Sequence, residues 1–253
     1  MIFLKEVYKM NETMKVLLSQ RSIRKFTKQE IEPEKLHEII SAAQWTATSS
    51  YFQTFTIINI KDPEKRATIA EIAGGQPWVV NAPVFLMFCA DLHRAEKYWK
   101  DADKKVFSNH ETFVVATVDA ALAAQKAYIA AQSLGLGGVF VGGIRNDIKA
   151  LCALLKLPQL VYPVFGMCLG YPLGEQAQRP RLPLDVIFKT DTYDETKDEE
   201  LINAYDQQVK EYYIKRTSGK IDDTWSERCA KTLMEKPRYE VKDFIKAKGF
   251  TLS

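Results

Sequence analysis

The stretch Leu134–Gly143, "LGLGGVFVGG", is half glycine, and its reading decides the fold. A dinucleotide fingerprint places its glycines after a strand and at the opening of a helix. Here the order is reversed. Gly135 closes a long apolar segment of helical character, Gly137 begins a β-rich run, and Gly142 and Gly143 end it ahead of Arg145. A Rossmann unit is therefore excluded. Helix capping and strand ends account for Gly135 and Gly137. Gly142 and Gly143 read as a strand end where backbone approaches a flat ligand closely and offers amide donors to it.

Working outward, residues 111–134 form the preceding helix. Asp119, Gln125 and Lys126 interrupt its apolar run, which marks a buried helix and falls short of a membrane span. "PVFLMFCA" (83–90) is a continuous apolar run, as in a strand covered on both faces. "FTIINI" (55–60) and "VYPVFGMCLGYP" (161–172), despite Pro163, read as further strands. Helices are expected over 31–47, 62–75 and 146–157, the first two with proline at a first helical position. Beyond residue 172 comes an aperiodic, proline-containing arm. A polar helical stretch follows over about 197–250. It suits an arm packed on a neighbouring subunit and a cap on its own chain equally well.

The 253 residues allow one large domain or two small ones, and 46% hydrophobic content supports a sizeable core. A net charge of +3 argues against a nucleic-acid binder. Cys89, Cys152, Cys168 and Cys229 are scattered without a C-x-x-C pair, as expected of free thiols in a reducing cytoplasm. Residues 1–9 are expected to be dispensable, with Met10 or Met14 as a start.

Several segments carry chemistry. "QRSIRKF" (20–26) packs three cations and a hydroxyl into a short span, which suits an anion. "TATSSYFQ" (46–53) is either a polar loop or a hydroxyl-lined wall with aromatic lids. Gln76, in "AGGQPW" (73–78), is a turn residue or a reader of a heterocycle's carbonyl and N–H edge. Arg179 and Arg181 of "RPRLP" point to one side of an extended segment, solvated or converging with Arg21 and Arg24 on a dianion. Arg216 and Lys220 flank a glycine turn in "RTSGKIDDTWSE" (216–227), a weaker phosphate candidate. His37, His93 and His110 have no ligand spacing, so no metal site is expected. H-E-x-x-H, G-x-S-x-G and Walker loops are missing, so a borrowed cofactor must supply reactivity.

In this order the segments resemble the flavin-dependent nitroreductase family, specifically its larger NADPH-dependent nitroreductase and flavin reductase branch. The resemblance spans residues 10 to 253. It implies an α+β fold with a central, mainly antiparallel sheet wrapped by helices. It further implies one FMN-binding domain whose residues 173–253 form an arm and helical excursion, exchanged in a homodimer that binds FMN at the subunit interface. Arg21, Ser22 and Arg181 match positions that bind the FMN phosphate. Arg179 stands where relatives often have lysine. Arg24 matches the cation near the ribityl chain and the N1/O2 side of the ring. Thr48, Ser49 and Ser50 match a flavin-contacting run, and Gln76 matches the residue at the pyrimidine edge. Val141, Gly142 and Gly143, followed by Arg145, match the strand end facing N5 and O4. Tyr51 matches an aromatic beside the substrate, and Arg216 and Lys220 belong to a loop that holds the NADPH 2′-phosphate. Ile221 and Asp222 replace basic residues there, which leaves NADPH and NADH both open. The implied activity is two-electron, ping-pong reduction of nitroaromatics, quinones or flavins by NAD(P)H, with no catalytic side chain. A reductase feeding reduced flavin to a partner and a non-catalytic flavin-binding protein are the competing readings.

Overall fold

The computed structural model describes residues 10–250, so the N-terminal extension of nine residues lies outside it. The chain divides into two compact units, Ala177–Pro237 and the remainder.

The larger unit contains, in chain order, helices α1 (Glu12–Leu18) and α2 (Pro33–Gln44), strand β1 (Phe55–Asn59), and helices α3 (Pro63–Ile72) and α4 (Pro77–Asn81). Strand β2 (Val84–Asp91), helices α5 (His93–Tyr98) and α6 (His110–Ser133), strand β3 (Gly137–Val141), helix α7 (Ile148–Leu154) and strand β4 (Val161–Gly170) follow. The strands form one sheet in the order β1-β2-β4-β3, and every pairing is antiparallel. All of β2 is buried. Its alternate residues serve two cores, with Phe85, Met87 and Cys89 in one and Leu86 and Phe88 in the other. That explains a continuous apolar run in an antiparallel strand, where one wet face is commoner.

By length and composition α6 alone among the described helices is apolar enough to cross a membrane, which the sequence did not lead us to expect. Its buried face is mostly alanine, at 116, 120, 123, 124, 127 and 131, and packs closely on α2 and the sheet. Buried Asp119 interrupts that face. Burial also raises the thiols above their ordinary range: Cys168 is pushed up to about 12, Cys152 to about 11, and Cys89 moves the same way.

Pro163 sits in a central strand, where a missing N–H normally breaks the ladder. The register explains its tolerance. Phe88 faces Phe165 while Cys89 faces Pro163, so Val164 is the extra residue of a bulge.

The smaller unit holds α8 (Leu184–Ile187), α9 (Asp198–Thr217) and α10 (Trp225–Glu235). Tyr205, Val209 and Tyr213 of α9 form its core with Leu182 and Trp225. Thr224 and Glu227 close a capping box at the start of α10. The last helix, α11 (Val241–Ala247), belongs to the larger unit.

Candidate functional site

Residues 20–26 lie along the end of the sheet. Ser22 bridges Gly138 and Phe26 bridges Pro172. The Ile23 amide donates to the Gly138 carbonyl at 2.7 Å. In this segment Ile23 is buried, while Arg21 and Ser22 are exposed. Ile23 fills the space that a side chain at Gly137 would need, since a Cβ there would fall 2.5 Å from Ile23 Cγ1. The Tyr128 hydroxyl lies 2.7 Å from the Arg21 carbonyl and 2.9 Å from the Gly138 carbonyl, sharing one proton between them. Burial pushes its phenol above the ordinary range, which keeps it a donor.

Arg24 is half-buried over the Trp78 ring, 5.4 Å from its centroid. The Trp78 indole N–H is buried and has no hydrogen-bond partner. Two residues earlier, Gln76 donates its amide to the Ala73 carbonyl at 2.9 Å. This orients the side chain and leaves its Oε1 as an acceptor.

Gly143, at the end of β3, has a packing reason beside the ligand approach read in the sequence. A Cβ at Gly143 would lie 2.7 Å from the Ala73 carbonyl and 2.8 Å from Gln76 Nε2. Gly143 is therefore glycine because the α3–α4 corner packs onto it. The chain does not simply end a strand there but enters a 3-10 turn, Gly142–Asp147. The first amides of such a turn have no partner within it. Gly142 faces the Arg145 guanidinium, 3.3 Å from where its Cβ would be. Arg145 turns inward and donates to the carbonyl of bulged Val164. Burial lowers its pKa. The chain thus brings Gln76, Gly142 and Gly143 together, with Trp78 and Arg24 reached from Gln76, and gives Arg145 to the sheet. Arg238, which sequence reading did not single out, holds the neighbouring Asn146 Oδ1 through Nε and Nη2 at 3.2 and 2.8 Å.

The loop carrying Thr48, Ser49, Ser50 and Tyr51 is strained. Ser50, Tyr51 and Gln53 have φ of 45°, 62° and 54°, a region that non-glycine residues seldom occupy. Asp119, 1% exposed, holds both ends of this loop. It accepts from the Ser49 amide at 3.1 Å, the Thr54 amide at 3.1 Å and the Thr54 hydroxyl at 2.8 Å. Tyr51 is 83% exposed. It borders a cavity of about 440 Å³ with Trp45, Thr46, Thr48 and Gln53. Phe52 packs at a tilt against Trp99, and Trp99 against Phe107, with ring centroids 5.3 and 5.8 Å apart. A larger cavity of about 750 Å³, between α7 and α11, is lined by none of the candidate site residues read from the sequence.

In the smaller unit, Arg179 and Arg181 border one cavity of about 410 Å³ with Tyr205, Tyr213 and Trp225. Arg228, missed in the sequence, shares it. Its guanidinium sits 4.4 Å from the Tyr213 ring centroid and pairs with Asp223 at 2.9 Å. Arg179 approaches the same ring at 5.8 Å. Arg216 donates to the Tyr212 hydroxyl at 3.1 Å, and Lys220 is exposed. Asp222 lies 3.9 Å from Lys210. Among the described residues, no three His, Cys, Asp or Glu side chains cluster as a metal site.

Residues 17–171 match the Nitroreductase family, and residues 179–253 match the Nitroreductase family, C-terminal domain. The chain is 39% identical over 246 residues to the FMN reductase (NADPH) of Bacillus subtilis (strain 168), covering 95% of this chain and 99% of that one. It is 39% identical over 241 residues to the oxygen-insensitive NADPH nitroreductase of Salmonella typhimurium, with the same coverage. The solved structure of the hypothetical oxidoreductase YcnD from Bacillus subtilis superposes with a TM-score of 0.93 at 38% identity, covering 96% of this chain and 100% of that one. The antiparallel sheet, the order of the motifs and these matches over nearly the full length agree: the chain belongs to the nitroreductase family.

Proposed function

We propose that the protein is an FMN-dependent NAD(P)H oxidoreductase that reduces flat acceptors, nitroaromatics, quinones or flavins, in a two-electron ping-pong cycle. The corner formed by Gln76, Gly143 and Trp78 carries this reading. There an oriented side-chain acceptor meets the opening of the Gly142–Asp147 turn, and the Trp78 ring two residues on carries Arg24. A heterocycle with alternating donors and acceptors suits that set, so these residues fit a flavin. When bound, FMN would supply the two-electron carrier between nucleotide and acceptor.

The chain's own residues then divide the work. From the family resemblance, Arg21, Ser22, Arg179 and Arg181 are assigned the phosphate, whose charge must be paired. Arg24 is a fixed cation for negative charge on the pyrimidine side, held in place over Trp78. Val141, Gly142 and Gly143 offer backbone amides. Arg145 acts on them indirectly, by fixing their turn to the Val164 carbonyl. Thr48, Ser49 and Ser50 line the wall, and Tyr51 meets the acceptor. Arg216 and Lys220 are assigned the nucleotide phosphate. Asp222 opposes that last role. Asp222→Asn is expected to raise kcat/KM for NADPH over NADH by roughly two- to fivefold, the size of one screened charge contact; steady-state kinetics with both nucleotides checks it.

The protein is further read as a homodimer with an exchanged arm. Val114, Val118 and Leu122 form an exposed apolar stripe along α6 at helical spacing. Sedimentation velocity should give twice the chain mass, and a monomer at micromolar concentration would refute the assembly.

A relative named for flavin and one named for nitro compounds stand at the same identity, so supply of reduced flavin to a partner is the second reading. The deciding experiment is the anaerobic visible spectrum of protein reconstituted with FMN. Bound flavin that bleaches on adding NADPH or NADH supports the reading. Protein that retains no FMN overturns it.

A further inference from the structure

We propose that Asp119 is a positioning residue for acceptor selection: its carboxylate fastens both ends of the Ser49–Thr54 loop and so sets the conformation in which Tyr51 is presented. This rests on the reading of Tyr51 as an acceptor contact.

A carboxylate in the middle of an alanine-rich helix face is costly unless it is hydrogen-bonded. Here three donors serve it. One oxygen takes the Ser49 amide, and the other takes the amide and hydroxyl of Thr54. The two attachment points are five residues apart in sequence, and the strained residues Ser50, Tyr51 and Gln53 lie between them. The local support is short-range. The Phe52 amide donates to the Ser49 carbonyl at 2.8 Å, the Tyr51 amide to the Thr48 carbonyl at 3.5 Å, the Gln53 amide to Thr48 Oγ1 at 3.3 Å, and Gln53 Nε2 to the Tyr51 carbonyl at 3.4 Å. The Tyr51 ring is largely exposed, so the backbone conformation sets where its side chain leaves the loop. Left-handed backbone persists only where the surroundings impose it. Asp119 is the buried group that does so, from α6 some 65 to 70 residues away in sequence. An ionised carboxylate is acceptor-only, and all three groups facing it are donors. An amide in its place would turn N–H₂ toward one of them.

The test is the ratio of kcat/KM for a nitroaromatic to kcat/KM for a quinone, measured on FMN-loaded enzyme. Asp119→Asn should shift this ratio about fivefold, in the same direction as Tyr51→Ala. Adding Tyr51→Ala to Asp119→Asn should shift it no further. A role in stability alone would lower Tm and leave the ratio, and the effect of Tyr51→Ala, as in wild type; that result overturns the proposal. Should Asp119→Asn fail to fold, Thr54→Val decides. It removes one of the three donors while keeping the side chain's shape. It should shift the ratio about twofold in the same direction, and an unchanged ratio refutes the idea. Failure of the underlying flavin reading is separately visible, since wild-type protein would then retain no FMN.

Discussion

The double variant Arg21→Ala/Arg181→Ala is expected to purify as colourless, folded protein. Each guanidinium is assigned a charge-assisted contact to the flavin phosphate, worth about 1.5–3 kcal/mol. Losing two should weaken FMN binding by roughly 10²- to 10⁴-fold, at about 1.4 kcal/mol per tenfold. The fold should survive at the Arg21 end. Its side chain is exposed, and the segment is held through backbone groups: the Ile23 amide on Gly138, and the Arg21 carbonyl under Tyr128. Absorbance near the flavin band after desalting measures occupancy, and circular dichroism measures fold. Full occupancy in a folded variant would remove both residues from the phosphate site.

Gly138→Ala should cost about 3 kcal/mol of stability, lowering Tm by roughly 6–12 °C. A Cβ at Gly138 would lie 2.3 Å from the Cys168 carbonyl and 2.8 Å from Leu169 Cδ2, on the strand paired with it. A backbone oxygen in a ladder cannot swing aside as a long side chain can. The damage should also travel outward, because the Gly138 carbonyl accepts from Ile23 and Tyr128. Flavin affinity is therefore expected to fall along with Tm. A thermal melt indistinguishable from wild type would show that β3 and β4 can separate locally without penalty.

Much of the architecture was legible because its signals are local. Every strand announced itself as an apolar or β-branched run, and Asp62 with Pro63 marked the start of α3, where Asp62 does accept from the Glu64 and Lys65 amides. The short elements α1, α4 and α5 were not legible. Helices of five to seven residues are held mainly by what they pack on, and these three lack an apolar run as long as the one that made α7, itself seven residues, readable. The site was legible in type more than in cause. Gly143 was read for ligand approach, and its packing demand was hidden because Ala73 O and Gln76 Nε2 lie about seventy positions earlier in the chain. Arg145 was read beside the ligand; the bulge carbonyl it also serves was hidden, because nothing nearby in sequence revealed it. Asp119 was visible as an oddity inside an apolar helix. Its purpose was hidden because all three of its donors come from a different part of the chain.

The cysteines offer a practical handle. Three of the four are buried, two of them in the sheet and one in α7, while Cys229 stands exposed on α10. Burial keeps those three thiols protonated near neutrality, and the thiolate is the reactive form. The native sequence is thus already a single-label protein: a maleimide fluorophore should couple once per chain, at Cys229, without any engineered substitution. Because Cys229 borders the cavity shared by Arg179 and Arg181, the dye would become an optical reporter on those arginines, able to follow their occupancy in real time without depending on the flavin's own colour.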